Sequence, residues 1–347
     1  MIFRSFITSF SLLVTGLCLH ASEEGARREV ERFEKAERAY EAALESAGSP
    51  EEEALAQELK PDAVSYARRL IREMGGQGKA RWVVPYIAWI FNEAPQSSPK
   101  HLNALRDFFE RDHLRSPGAG RVALALANYP DPRSLDLARA VREKHPDPVE
   151  KGLAALGVCL MLSNLGDDPS IINERRELLP EVIIHAADED VDGRKVADIV
   201  RDELYIMKNL IKGREAPEIK GLDVSGRELS LKSLRGQIVI LVFWSGEAFA
   251  QGKATAEFLR KVHEDFAGQP VTVLAVNSDK RQVVRKLTAD GVIVWKNILD
   301  EDLTIHKSYK ITTVPKAFII DAEGIIQYIG VPGPFVELTA RAFLEEK

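Results

Sequence analysis

The pattern of apolar and polar positions divides the chain into a helical first part and a second part in which strands and helices alternate. Up to about residue 212, apolar residues recur at three- and four-residue steps, the spacing of one helix face. Beyond that point, short apolar runs such as Ile238–Val242 and Val271–Val276 indicate buried strands separated by helical stretches. The pattern therefore predicts an all-helical domain over residues 22–212 and an α/β domain with a mixed central sheet over residues 213–347.

Proline marks the breaks between the predicted helices of the first domain. Five breaks place Ser or Asp, which are favoured N-caps, directly before Pro, which is tolerated at the first helical position. Alternate breaks are thirty-odd residues apart, which is typical of helix-pair solenoids of the tetratricopeptide or HEAT type. An irregular helical bundle is the alternative. The breaks are Ser98-Pro99, Ser116-Pro117, Asp131-Pro132, Asp147-Pro148 and Asp168-Pro169.

The first 21 residues have the composition of a secretory signal peptide. Arg4 supplies the positive charge, an apolar stretch runs from Phe6 to Leu19, and Ala21 precedes the expected cleavage point. An uncleaved anchor is the alternative, but the stretch is short of the ~20 residues that a spanning helix needs. We therefore expect an exported protein, periplasmic or extracellular, without stable membrane insertion after cleavage.

Charge and histidine placement narrow the classes of ligand. The chain has a net charge of −6, which argues against a nucleic-acid partner because phosphates require a basic surface. His263 and His306 lie on predicted helices without metal-ligand spacing, and we expect both to face solvent. The sequence thus predicts neither a metal site nor a cofactor.

The cysteine inventory restricts redox chemistry. The chain contains two cysteines, Cys18 and Cys159, and signal cleavage removes the first. A mature protein with one cysteine forms no intrachain disulfide, even in an oxidising compartment. Cys159 lies inside the apolar stretch Leu156–Leu162, so we expect a buried, unreactive thiol.

The segment around the first long strand resembles a known active site. The run Ile238–Val242 ends in Phe243-Trp244 and leads through a short turn into a predicted helix, Ala254–Phe266. This arrangement resembles the active-site segment of the thioredoxin-like superfamily, in particular the redoxin branch with its AhpC/TSA and TlpA-like members. The resemblance covers about residues 213–347 and extends to the Gly213–Ile219 opening. It implies thiol-disulfide oxidoreductase or peroxidase activity.

The resemblance also places two further features of the family on this chain. The family pattern Phe-Trp-x-x-x-Cys-x-x-Cys puts its two cysteines at Ala248 and Gln251, so both reactive thiols are replaced. No cysteine occurs anywhere in residues 213–347, which excludes catalysis by a cysteine of this domain. The Val314-Pro315 pair corresponds to the family's cis-proline, and the resemblance implies a cis bond there.

Two hypotheses for function follow. The first is an exported thioredoxin-fold protein without redox activity, a binding or structural module for a protein or peptide partner. Its expected binding face comprises Trp244, Glu247, Phe249, Val314 and Pro315. The alternative is a thiol-disulfide oxidoreductase or peroxiredoxin-type protein that uses a thiol supplied from elsewhere, by a partner or by Cys159. The missing cysteines favour the first hypothesis, in which the protein is not an enzyme.

Overall fold

The computed structural model describes residues 22–47, 50–246 and 249–345. The predicted signal peptide, residues 1–21, lies outside these ranges. Contacts divide the chain into two compact units between Val158 and Cys159, within a single helix. The predicted domain boundary after residue 212 falls inside the second unit.

The described part of the first unit consists of helices and their connections, in agreement with the predicted all-helical class. Short 3-10 turns at residues 81–83 and 126–128 supplement the longer helices. The predicted helix-pair repeat stays a prediction. The helices are α1 (Glu23–Ser46), α2 (Pro50–Glu58), α3 (Ala63–Glu73), α4 (Val84–Glu93), α5 (Pro99–Asp112), α6 (Ala119–Ala125), α7 (Pro132–Lys144) and α8 (Pro148–Ser163), the last of which spans the division.

The proline breaks start helices in two different ways. At each Asp-Pro break the carboxylate accepts a hydrogen bond from a backbone N–H two or three residues further on, as an N-cap does. These caps are Asp131, Asp147 and Asp168, at 2.7, 2.8 and 2.9 Å. The Ser-Pro breaks differ, since Ser98 makes no side-chain cap and the Ser116 hydroxyl lies 3.0 Å from Nδ1 of His113.

Two long helices precede the sheet in the second unit. They are α9 (Pro169–Ala186) and α10 (Val196–Asn209), joined by a hairpin of β1 (Asp190–Val191) and β2 (Arg194–Lys195). The apolar spacing of residues 191–211 predicts one helix, but the helix begins only at Val196, so this prediction is wrong at its start. Asp192 and Gly193 both adopt positive φ, the Asp-Gly combination that favours a tight hairpin turn over a helix.

A five-stranded mixed sheet forms the centre of the second unit, with the order β7-β6-β5-β8-β9. Strands β5, β6 and β7 are parallel, whereas β8 runs antiparallel to β5 and β9 antiparallel to β8. The elements are the small hairpin β3 (Lys220–Leu222) and β4 (Glu228–Ser230), then β5 (Ile238–Trp244), α11 (Phe249–Asp265), β6 (Val271–Asn277), α12 (Arg281–Ala289), β7 (Lys296–Leu299), α13 (Thr304–Ser308), β8 (Lys316–Ile320), β9 (Ile326–Gly330) and α14 (Pro334–Glu345).

Alternate residues of β5 serve opposite faces of the sheet, and both faces are covered. Ile240 and Val242 pack into one cluster with residues of α11, α12 and α14. Leu241 and Phe243 pack into the other, which includes Leu210, the residue directly after α10. The predicted fold class, helices followed by a mixed sheet covered on both faces, is therefore confirmed.

A buried ion pair joins α9 to α10. Arg175 is 1% exposed, and its guanidinium donates to the Glu203 carboxylate at 2.5 Å. Cys159 is fully buried with its sulfur 4.0 Å from the same carboxylate. Burial, assisted by the negative charge of Glu203, raises the pKa of the Cys159 thiol to about 12. The predicted buried position of this cysteine is confirmed.

We expect Glu203→Ala to lower the free energy of unfolding by about 3–5 kcal/mol, because it leaves the Arg175 charge buried without a partner. Asp198→Ala, on the same helix, removes only the exposed pair with Arg201 and should cost less than about 1 kcal/mol. Urea unfolding followed by circular dichroism measures both. Equal midpoints for the two variants would contradict a structural role for the buried pair.

Candidate functional site

The strand that leads into the candidate site ends in a buried tryptophan. Trp244 is 1% exposed, and its indole N–H donates to the side-chain oxygen of Asn297 at 3.0 Å. Its ring meets Trp295 edge to face, with centroids 5.7 Å apart. Trp244 therefore belongs to the core and supports the following turn from beneath, although the sequence placed it on an exposed binding face.

A single carboxylate organises the turn after β5. Asp279, 3% exposed, accepts hydrogen bonds from the Ser245 hydroxyl and, at 2.7 Å, from the Gly246 backbone N–H. Asn277 donates its side-chain amide to the same carboxylate at 2.9 Å. Charge-assisted hydrogen bonds of this kind are stronger than neutral ones, so the turn is held against the end of β6.

This role of Asp279 corrects a sequence prediction. The sequence Asn277-Ser278-Asp279 directly before a helical stretch predicts a helix cap. However, α12 begins at Arg281, and the residue before it, Lys280, makes no side-chain cap. The carboxylate points instead to the turn between β5 and α11. Sequence spacing favoured a local cap, and the long-range partner became visible only once parallel pairing placed the ends of β5 and β6 side by side.

Close backbone approach explains the glycine in the first turn of α11. A Cβ on Gly252 would lie 2.6 Å from the Gly246 carbonyl oxygen and 2.7 Å from that of Ser245. Since backbone atoms at such distances leave no room for a side chain, the first turn of α11 packs directly on the backbone of Ser245 and Gly246.

The structure describes only some of the predicted site residues. Glu247 and Ala248 lie outside the described residues, as does the side chain of Phe249, the first residue of α11. Gln251 is exposed in the first turn of that helix. Whether these residues share a binding face stays a prediction.

The proline of the expected binding face lies at the same end of the sheet as the turn. The Val314–Pro315 bond is cis, as the resemblance implied, and both residues are half-buried. Phe243 pairs with Lys316 across β5 and β8. One residue further on, the antiparallel register therefore brings Pro315 alongside Trp244.

A cavity of about 330 Å³ opens beside the turn, between α11 and α12. Its apolar wall includes Trp244, Ala256, Leu287 and Val292, and the charged side chains on its rim come from α11. Such a mixture of apolar surface and few polar groups is typical of ligand pockets. This cavity cannot be predicted from the sequence, because its residues come from three stretches, 244–246, 252–260 and 287–292.

A buried aspartate–histidine pair lies on the other face of the sheet. His306 is 4% exposed and its Nδ1 lies 2.6 Å from the carboxylate of Asp300, so the expectation that it faces solvent is wrong. Burial alone would raise the pKa of Asp300, but hydrogen bonds from the His306 ring and from two backbone N–H groups lower it overall. His306 packs edge to face on Phe243, which makes this pair part of the core.

Residues 22–47, 50–246 and 249–345 contain neither a three-ligand metal cluster nor a helix suited to span a membrane. In these ranges no group of three or more His, Cys, Asp or Glu side chains is placed to hold a metal ion. Likewise, none of the helices there combines the length and the apolar character needed to cross a bilayer.

Comparison with known proteins assigns the region that carries the turn. Residues 212–329 match the model of the AhpC/TSA family. The match covers the sheet and the turn, and it confirms the predicted resemblance of this region to the redoxins.

Individual relatives agree with this assignment. The thiol-disulfide oxidoreductase ResA of Bacillus cereus is 24% identical over 113 residues, which are 32% of this chain and 65% of that protein. The thioredoxin-like protein YneN of Bacillus subtilis is 29% identical over 125 residues, 35% of this chain and 71% of that protein. The chain thus spans less than two thirds of the length of that ResA.

Solved structures resemble the same part of the chain. The thioredoxin domain of a thiol-disulfide oxidoreductase from Bacteroides vulgatus is 26% identical, with a TM-score of 0.35; the likeness covers 39% of this chain and 99% of that domain. StoA from Bacillus subtilis is 21% identical over 36% of this chain and 95% of its own, with a TM-score of 0.31.

We expect Asp279→Ala to lower the free energy of unfolding by about 3 kcal/mol, since it strands three donors at the turn and each costs about 1–3 kcal/mol. Asp290→Ala, at the exposed end of α12, is the matched control and should change it by less than about 0.5 kcal/mol. Urea unfolding gives the free energies, and amide exchange at Gly246 reports on the turn itself. Unchanged exchange in Asp279→Ala would show that the carboxylate does not hold the turn.

Proposed function

We propose that this protein is an exported binding module in which a redoxin domain has kept its fold and lost its redox chemistry. The observation that carries the proposal is the combination of the strand β5 and the helix α11, which flank the site of the lost cysteines, with the absence of cysteine from residues 213–347. Thiol–disulfide exchange requires a thiolate and a disulfide or a second thiol. Neither the position of Ala248 nor that of Gln251 supplies a sulfur atom.

The environment of the remaining cysteine supports this proposal. Cys159 is fully buried and its pKa is raised to about 12, so at neutral pH the thiolate, the reactive form, is essentially absent. The sulfur lies beside the Arg175–Glu203 ion pair and is not exposed to solvent, so a substrate disulfide cannot reach it in the folded protein. Cys159 is therefore a poor source of the missing thiol.

Two features favour binding over a purely structural role. Ser245 and Gly246, at the start of the turn, are held by Asp279 and by the close approach of Gly252, so they offer a preorganised surface, which lowers the entropic cost of recognition. The cavity beside it supplies an apolar recess of about 330 Å³. A protein or peptide partner in the periplasm or outside the cell fits both features and the predicted signal peptide.

The alternative is a thiol-disulfide oxidoreductase that receives its thiol from a partner. The family match and the oxidoreductase names of the relatives favour it. It requires a cysteine on another protein to occupy the turn, because this region contributes none of its own.

We expect the protein without residues 1–21 to be inert in insulin-disulfide reduction and in peroxide consumption, because no accessible thiolate is available. The same assays on Cys159→Ser should give the same background rate. Turnover that disappears in Cys159→Ser would overturn the redox-inactive proposal and favour the alternative.

We also expect Cys159 to react with iodoacetamide on the order of a hundredfold more slowly in the native protein than in urea, since burial suppresses both access and ionisation. Mass spectrometry of the alkylated protein measures the rates. Native labelling as fast as that in urea would contradict the buried position.

A double variant tests the placement of the lost cysteines. Ala248→Cys with Gln251→Cys should create a dithiol that oxidises to a disulfide and reduces insulin, because the surrounding fold is that of the redoxins. Ala248→Ser with Gln251→Ser is the control. A folded double-cysteine variant without a disulfide after oxidation would show that the two positions are misassigned.

A further inference from the structure

The cavity between α11 and α12 combines an apolar interior with a charged rim. Leu287 and Val292 are only half-buried, so apolar surface in the cavity is accessible from outside. Lys253, Glu257 and Arg260 follow one another along the rim on α11. The rim is held in place, because Arg260 donates to the carbonyl oxygens of Gly291 and Val292.

The neighbourhood of the cavity is basic although the chain as a whole is acidic. The helix that contributes Leu287 exposes three cations, Arg281, Arg285 and Lys286, and none of them pairs with a carboxylate among the described residues. With Lys253 and Arg260 on the rim, five cations outnumber the exposed carboxylates of Glu257 and of Asp290 at the end of α12, in a protein of net charge −6. A concentrated charge opposite in sign to the rest of the protein attracts ligands of the complementary sign.

Geometry indicates a short extended peptide as the ligand. Lys253 and Arg260 are seven helical residues apart, a rise of about 10.5 Å. Three residues of extended chain span about 10 Å, so one acidic side chain can reach each cation while an apolar side chain between them enters the cavity. The volume of about 330 Å³ is at the lower limit for drug-sized ligands and suits one large side chain.

We propose that this cavity receives an aromatic or large aliphatic side chain from an acidic segment of the protein partner. The inference rests on the proposed function and names the chemistry of its ligand. The apolar side chain anchors the segment, and the flanking carboxylates of the segment face Lys253 and Arg260. Affinity then depends on both the anchor and the charge.

Calorimetric titration with three capped hexapeptides tests the two requirements. We expect Glu-Glu-Phe-Ser-Glu-Glu to bind the protein without residues 1–21 at least about tenfold more tightly than Glu-Glu-Ala-Ser-Glu-Glu or Lys-Lys-Phe-Ser-Lys-Lys. Added salt should weaken the binding of the acidic peptides, because it screens exposed charges. Equal affinities for all three peptides, or no binding of any, would overturn the inference.

Two variants test whether the peptide binds in this cavity. Val292→Trp fills it from a half-buried position and should weaken the Phe peptide about tenfold, while Lys253→Glu should weaken it by a similar factor without touching the core. Lys232→Glu, an exposed position outside the cavity, is the matched charge control and should leave the affinity unchanged. Peptide binding that neither variant weakens would assign the ligand to another surface.

The two proposals fail separately. Thiol turnover in the insulin assay would overturn the redox-inactive function whatever the peptides do. An inert protein that does not discriminate among the three peptides would overturn only the cavity's role. If vesicles of anionic lipid bind to the protein and the Phe peptide does not, the basic residues around the cavity bind a membrane surface and the peptide inference is wrong.

Discussion

The second unit depends on the burial of β5 on both faces. All seven residues from Ile238 to Trp244 are buried, so neither sheet face can be uncovered without exposing this strand. Burying an apolar side chain contributes about 1.5–3 kcal/mol, which makes the strand the main hydrophobic element of the unit. The position of the end of β5 is therefore fixed, and with it the point at which the following turn begins. Asp279 then fixes the turn itself by hydrogen bonds that the core alone does not provide.

Sequence patterns predicted the structure correctly where that structure depends on a single strand or helix. The strand at Ile238 and the Asp-Pro helix starts were predicted because apolar runs and N-caps act locally. The predictions that were wrong concern polar side chains with distant partners. Asp279 was assigned to its own helix and His306 to the solvent, and both are buried through contacts with residues that lie far away in sequence or on another element.

The candidate site shows the same division between local and long-range information. The loss of the two family cysteines at Ala248 and Gln251 can be recognised from the sequence alone, because it depends only on which residues occupy those positions. The cavity cannot, because Trp244, Leu287 and Val292 meet only after β5 and α12 pack together. Trp244 illustrates both kinds of information. Its place at the end of a strand was predicted correctly from the sequence, whereas its burial depends on packing between elements and was not predicted.

The helix before the sheet sets a limit on how this protein can be divided. Leu210, Tyr205 and Ile206 pack on the sheet face that contains Phe243, together with the core residues Phe318 and Ile320. The family match begins at residue 212, after all three of them. A fragment limited to that match would expose this apolar sheet face to water, and we expect such a fragment to self-associate. The smallest autonomous folding unit is therefore longer than the segment that evolution shares with the redoxins.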